Sequence, residues 1–181
     1  FISRTLHTDV LTESARNYYL GQVYGLRAYY MYQLYRSWGD VVFTEEPSLG
    51  FEVGKLAKAA TPAAEIFEQV KKDIESSLSY FGSDYTIKEK KSLWSKAATL
   101  MLKADVYLWS AHRDGGEGDA RTAKNALVDI QNNISRSNLD LMDTYQGVFA
   151  YDNKGNKEII FTIHNELFEY NLWNGNNDLF P

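Results

Sequence analysis

The stretch Leu20 to Phe43, LGQVYGLRAYYMYQLYRSWGDVVF, constrains the chain more than any other. From Arg16 to Ser37 there is no proline. Tyr19, Val23, Leu26, Tyr30 and Leu34 recur at three- and four-residue steps, which is a helix period. Seven of the chain's 13 tyrosines (Tyr18, Tyr19, Tyr24, Tyr29, Tyr30, Tyr32, Tyr35) fall in or just before it. The helix is therefore covered on most sides by amphipathic rings, each with a face to bury and a hydroxyl to partner. Such a helix belongs in the middle of a helical stack. Gly39 suits the left-handed conformation that ends a helix, and the β-branched pair Val41-Val42 reads as extended chain.

The rest of the chain supplies neighbours for that helix. Thr12, or Thr8-Asp9, is the expected N-cap, with Glu13 in the first turn. Residues 44–61 carry Pro47, Gly50 and Gly54 among mixed charges and read as a long surface connection. At Thr61-Pro62 a second helix is expected, with Thr61 as N-cap and Pro62 at the first helical position. Its face of Ile66, Val70, Ile74 and Leu78 runs to a stop at Gly82. A third helix, Lys90 to Ala111, is hydrophobic nearly all round and so is expected to be buried. Arg113 to Asp119 reads as a glycine-rich hairpin leading to a fourth helix with Ala120, Ala123, Ala126 or Leu127, Ile130 and Ile134 on one side. Its loop length makes that pairing antiparallel. Asn156 to Ile163 reads as a strand.

Composition bounds the function. At 181 residues the chain is one domain, 1–181, long enough to bury roughly 70% of its unfolded surface. It has no cysteine, which excludes disulfides and thiolate metal sites but leaves the compartment open. A formal charge of -5 with dispersed Lys and Arg argues against nucleic acid and against an anionic membrane surface. No apolar run approaches the roughly 18 residues of a membrane span. No nucleophile elbow, phosphate loop or dinucleotide fingerprint is present, since Gly115-Gly116-Glu117-Gly118 follows a helix rather than a strand. His7, His112 and His164 have no ligand-type partner one helical turn away. Asp114 to Asp119 and Asp152 to Glu158 look faintly like calcium loops, yet neither has the twelve-residue spacing. No metal or other cofactor is expected.

Three separated segments carry a family resemblance. Leu26-Arg27-Ala28-Tyr29-Tyr30, Leu34 and Trp38-Gly39-Asp40-Val41-Val42-Phe43 resemble the "LRA-aromatic-aromatic … L … (F/W)GDVPL" stretch of the SusD/RagB family. Ala98 to Trp109 resembles its alanine-rich helix, and the succession Leu139 to Leu141, Tyr145, Val148-Phe149 and Asn156 to Ile163 resembles its "N-x-E-I-I-F-x-I" region. Val42 stands where the family usually has proline and Gln22 where it often has glutamate; neither departure touches chemistry on this reading. The resemblance implies a mainly α fold of tetratricopeptide-like antiparallel helix pairs with long loops and a minor β-strand or hairpin near 158–164. It implies a fragment of a larger chain, less than half of a usual member. It also implies function: a non-enzymatic outer-membrane lipoprotein of Bacteroidetes that captures an oligosaccharide or polysaccharide and hands it to a SusC-like TonB-dependent transporter. A lipid anchor outside this sequence would hold it at the cell surface. The rival reading is an intracellular tetratricopeptide-like scaffold that binds a protein segment in a concave groove.

Glycan recognition uses flat rings against the C–H face of a sugar and amides or carboxylates against its hydroxyls. Tyr170, Trp173, Asn174, Asn176, Asn177 and Asp178 supply both within nine positions of the closing stretch. These six are the candidate glycan contacts, and the competing reading is a polar loop with Trp173 pinned into the core. Trp38 is expected to pack under the following extended run, with Asp40 capping nearby amides.

Overall fold

The computed structural model describes residues 2, 10–45, 57–88 and 91–163. They are mostly helical. The first helix, α1 (Glu13–Trp38), starts where the Thr12 side chain accepts a hydrogen bond from the Ala15 amide. It ends at Gly39, whose φ of 73° lets its N–H turn back to the Tyr35 carbonyl at 2.9 Å. Helix α2 (Ala63–Phe81) runs back along it, as the pairs Tyr18–Phe81, Arg27–Asp73 and Tyr35–Phe67 show. Helix α3 (Lys96–Ser110) lies antiparallel to α2, through Ser77–Thr99 and Glu75–Lys103. Helix α4 (Gly116–Asn132) returns along α3, packing Ala126 and Ile130 on Leu100 and Ala104. This is the expected up-and-down stack of helix pairs, but α1 lies at one end of it, packed mainly on α2 with Tyr19, Tyr30 and Trp38 exposed, rather than in its middle.

Small residues let the stack close. The buried face of α1 includes Gly21, Gly25 and Ala28. A Cβ at Gly25 would lie 2.6 Å from Trp94 Cδ1, so only glycine admits the indole there. Trp94 is 3% exposed and belongs to the core with Tyr32, Ile66, Val70, Ile74, Phe81, Leu102 and Val106. A buried polar relay runs through this core. Trp94 Nε1 donates to Thr99 Oγ1 (2.8 Å), Thr99 pairs with Ser77 Oγ (2.9 Å), and Ser77 Oγ donates to the Gly21 carbonyl (2.6 Å). Each polar atom is satisfied, so the relay fixes the register of α1, α2 and α3 with its hydrogen bonds offsetting the desolvation of the buried groups.

Several local expectations are corrected. Thr61 is not the N-cap of α2: it forms an isolated antiparallel bridge with Val41, and Pro62 occupies the cap position without a side-chain bond. The cap comes instead from Asp40, whose Oδ1 accepts from the Ala63 amide at 2.8 Å. Helix α3 begins at Lys96 rather than Lys90, because Ser95 caps the Ala98 amide. The glycine-rich segment is no hairpin: Ala111–Gly115 continues α3 as one π-helical turn before α4 begins at Gly116.

The strand near 158–164 is also not formed over its described part, 158–163. That run has one ladder-like bond, Thr162 N to the Lys91 carbonyl at 3.0 Å, and no pairing strand among the described residues. Nor is α3 buried all round. Its residues Ala97, Ala98, Leu100, Leu102, Ala104 and Val106 are buried, while Met101, Leu108 and Trp109 are 47%, 62% and 38% exposed.

Candidate functional site

The arginine of the Leu26-Arg27-Ala28 motif locks the two helices that build the site. Arg27 Nε and Nη2 each donate to Asp73, at 2.6 Å to Oδ2 and 2.6 Å to Oδ1, and Gln69 Nε2 adds a third bond at 2.9 Å. Asp73 is 1% exposed, so this bidentate pair is almost dry on the acid side. The guanidinium sits between the rings of Tyr24 (5.3 Å) and Phe43 (5.5 Å). Its pKa is raised further above an already high value, first by the hydrogen bonds to Asp73. Tyr24 in turn stacks on Tyr80 of α2, with centroids 5.6 Å apart and planes 12° apart. Burial, then the neighbouring Tyr80, pushes the Tyr24 hydroxyl up from its ordinary pKa.

Beyond this lock, toward the start of α1, the pair borders a cleft. The first turns of α1 and the last turn of α2 line this cleft, of about 1020 Å³. One wall carries Glu13, Ser14, Asn17, Tyr18, Tyr19, Gln22 and Leu26, and the other carries Ser79, Tyr80, Phe81, Ser83 and Asp84. Lys88 closes one side with its ammonium 3.8 Å from the Tyr18 ring centroid. Gln22 lies at the floor: it is 8% exposed, and its carboxamide makes no hydrogen bond to a described residue. Rings, hydroxyls, amides and a few charges thus share one concave surface, the mixture that polar ligands with apolar faces require.

A second, smaller depression of about 370 Å³ lies between α1 and α3 under residues 158–161. Tyr29, Trp94, Met101, Ile160 and Phe161 make it mainly apolar, with Gln33, Asp105 and Glu158 as polar groups. Glu158 is engaged, since its Oε2 accepts from the Met142 amide at 2.8 Å.

The six candidate glycan contacts, Tyr170, Trp173, Asn174, Asn176, Asn177 and Asp178, lie outside the described residues. Trp38 is 71% exposed and does not pack under the extended run; Asp40 does cap an amide, but that of the next helix. Among the described residues no group of three His, Asp or Glu side chains is placed to hold a metal. The two weak calcium-loop segments are a π turn leading into α4 and a 3-10 turn, Tyr151–Asn153. The tyrosines of α1, at helical spacing, are expected from the sequence to have a face to bury. For Tyr32 that is right, but Tyr18 and Tyr19 line the cleft. The available signal was Gln22, a polar residue between Leu20 and Gly25 on an otherwise small and apolar buried face.

No family model matches the chain. Among solved structures it is similar to NanU of B. fragilis, at 47% identity and a TM-score of 0.85 over 97% of this chain and 34% of that one. A SusD superfamily protein from Bacteroides vulgatus matches at 44% identity and a TM-score of 0.82, over 97% of this chain and 35% of that one. A surface glycan-binding protein A from Bacteroides thetaiotaomicron, solved with laminarihexaose, shares the fold at 21% identity and a TM-score of 0.66, over 90% of this chain and 31% of that one. Among curated proteins, SusD-like protein P38 of Formosa agariphila is 34% identical over 113 residues, 61% of this chain and 20% of that protein. The chain is thus similar to SusD superfamily proteins, and it spans about a third of the length of the two solved structures it matches at 44–47% identity.

Proposed function

We propose that this chain is part of a surface lipoprotein that captures an oligosaccharide without altering it and passes it to a SusC-like TonB-dependent transporter at the outer membrane. The observation that carries the reading is the match to SusD superfamily structures across 97% of the chain at 44–47% identity. The laminarihexaose bound by a more distant relative of the same fold supports a glycan as the ligand class. A non-catalytic role is supported by the way carboxylates are used among the described residues. Asp73 is tied to Arg27, Asp129 to Tyr85 and Asn133, and Glu158 to a backbone amide, so none of these is free to act as acid or base. The helix pairs alone would equally serve a protein-binding scaffold; the superfamily match favours the glycan reading.

Within this reading Tyr170 and Trp173 supply stacking faces, and Asn174, Asn176, Asn177 and Asp178 bind hydroxyls. The test is isothermal titration of the full-length protein against a glycan panel, with product analysis of the mixture. Binding without cleavage is expected, and Trp173→Ala should weaken it at least about tenfold, the loss of roughly 1.4 kcal/mol of ring contact. A protein that binds no carbohydrate but does bind a peptide would overturn the proposal.

A further inference from the structure

We infer that the cleft between the start of α1 and the end of α2 is a saccharide subsite with Gln22 at its floor, an inference that rests on the glycan reading above. The decisive feature is the Gln22 carboxamide. A primary amide presents two donors and an acceptor with two lone pairs, and the little of Gln22 that stays exposed includes polar atoms the cleft can reach. At 8% exposure, and with no hydrogen bond to a described residue, Gln22 keeps that capacity unspent at the one place where the cleft reaches it. Adjacent sugar hydroxyls, each both donor and acceptor, match an amide in this way.

The surroundings suit the same ligand. Asn17, one and a half turns earlier on α1, offers a second carboxamide without a hydrogen bond to a described residue. Tyr19 is 43% exposed and Tyr80 has one ring face covered by Tyr24, so both can present a ring to the C–H face of a sugar. The charged groups on the rim are Glu13, Asp84 and Lys88, two acids and one base, and the base already lies over the Tyr18 ring. That balance disfavours an anion and fits a neutral saccharide. A volume of about 1020 Å³ stands at the upper end of small-molecule sites and leaves room for a saccharide.

The experiment uses the full-length protein and neutral oligosaccharides of different linkage, titrated calorimetrically. Two variants test the cleft: Gln22→Met, which keeps the side-chain length and removes the amide, and Tyr19→Ala, which removes an exposed ring and so leaves the core intact. Trp173→Ala is run alongside. For the saccharide that binds the wild type, each cleft variant is expected to weaken affinity about tenfold at an unchanged unfolding midpoint. If Gln22→Met lowers that midpoint, Tyr19→Ala decides. Wild-type affinity in the cleft variants, with loss only in Trp173→Ala, would overturn the cleft assignment and leave the glycan reading standing. No binding of any saccharide by the wild type would overturn both.

Discussion

Replacing Gly25 by alanine sets two physical effects against each other, and the structure decides which wins. Alanine is the better helix former by about 1 kcal/mol in a helix interior. The new Cβ, however, would lie 2.6 Å from Trp94 Cδ1 and 2.9 Å from Cε2, and closer still to Nε1, whereas carbon pairs rest at about 3.5 to 4.0 Å. The indole would have to retreat by about 1 Å on that comparison. It has little room: it is 3% exposed and is flanked by the Tyr29 and Phe161 rings at 5.6 and 5.0 Å. It also holds Thr99 through its Nε1 at 2.8 Å. Overpacking of this kind costs about 1–3 kcal/mol, and the strained hydrogen bond adds about 1 kcal/mol. The net expectation is destabilisation by about 2 kcal/mol, the propensity gain already subtracted. Urea unfolding followed by helical circular dichroism should show the midpoint falling by about 1 M, for a slope near 2 kcal/mol/M. Trp94→Phe removes the five-membered ring that the methyl strikes. The double variant should therefore be more stable than the two single losses predict, by at least about 1 kcal/mol. A Gly25→Ala protein as stable as the wild type would refute the close-approach argument.

Three further outcomes follow from the buried polar groups. Asp73→Asn leaves the Arg27 guanidinium without its counter-charge; because Arg27 keeps 22% side-chain exposure, the loss should fall near the lower end of the usual range, about 3 kcal/mol. In the same urea assay, replacing both partners (Arg27→Met with Asp73→Leu) should recover most of it, and a cost below about 1 kcal/mol for Asp73→Asn would show the pair to be screened. Tyr32 is fully buried and its hydroxyl has no hydrogen-bond partner among the described residues, so Tyr32→Phe should stabilise the chain by about 1 kcal/mol; a loss of similar size would mean the hydroxyl is paired. Burial, and then the bond to Asp129 at 2.6 Å, pushes the Tyr85 hydroxyl up to about 12. The unfolded chain loses this proton first, near pH 10, so the contribution is complete below pH 10 and is lost as pH rises toward 12, at about 1.4 kcal/mol per unit. Unfolding at pH 9 and pH 11 should therefore show a flatter alkaline decline in Tyr85→Phe, and an unchanged decline would refute the assignment.

The fold was legible wherever one residue type has one physical meaning. Helical spacing from Tyr19 to Leu34 and the stop at Gly39 located α1 to within a few residues, because apolar period and left-handed glycine act locally. The misread features depend on distant partners. Thr61-Pro62 looked like a cap, yet Thr61 is drawn into a bridge with Val41, and Asp40 takes over the capping from 23 residues away. The Asn156 to Ile163 run has strand composition, but β-propensity becomes a strand only when a neighbouring chain supplies the ladder. Helix α3 is apolar on three sides, while α2 and α4 cover only two; Met101 and Leu108 face away from both. Sequence pattern reports how much burial a helix calls for, and it does not say which element provides it.

Gln22 is where sequence and structure part most sharply. Read along the chain, it was a glutamine in a position that often carries glutamate, with no consequence for chemistry. In the folded molecule the same residue is 92% shielded, yet lines the cleft at the start of α1 with its amide making no hydrogen bond to a described residue. A polar side chain on a buried face has two physical solutions: a protein partner, as Ser77 and Thr99 find in each other, or an opening from which a partner can arrive. Linear sequence cannot separate them, because both place a polar residue at a core period. Only the cleft lined by the start of α1 and the end of α2 does, and its contact with Gln22 makes the amide a ligand group rather than a core contact.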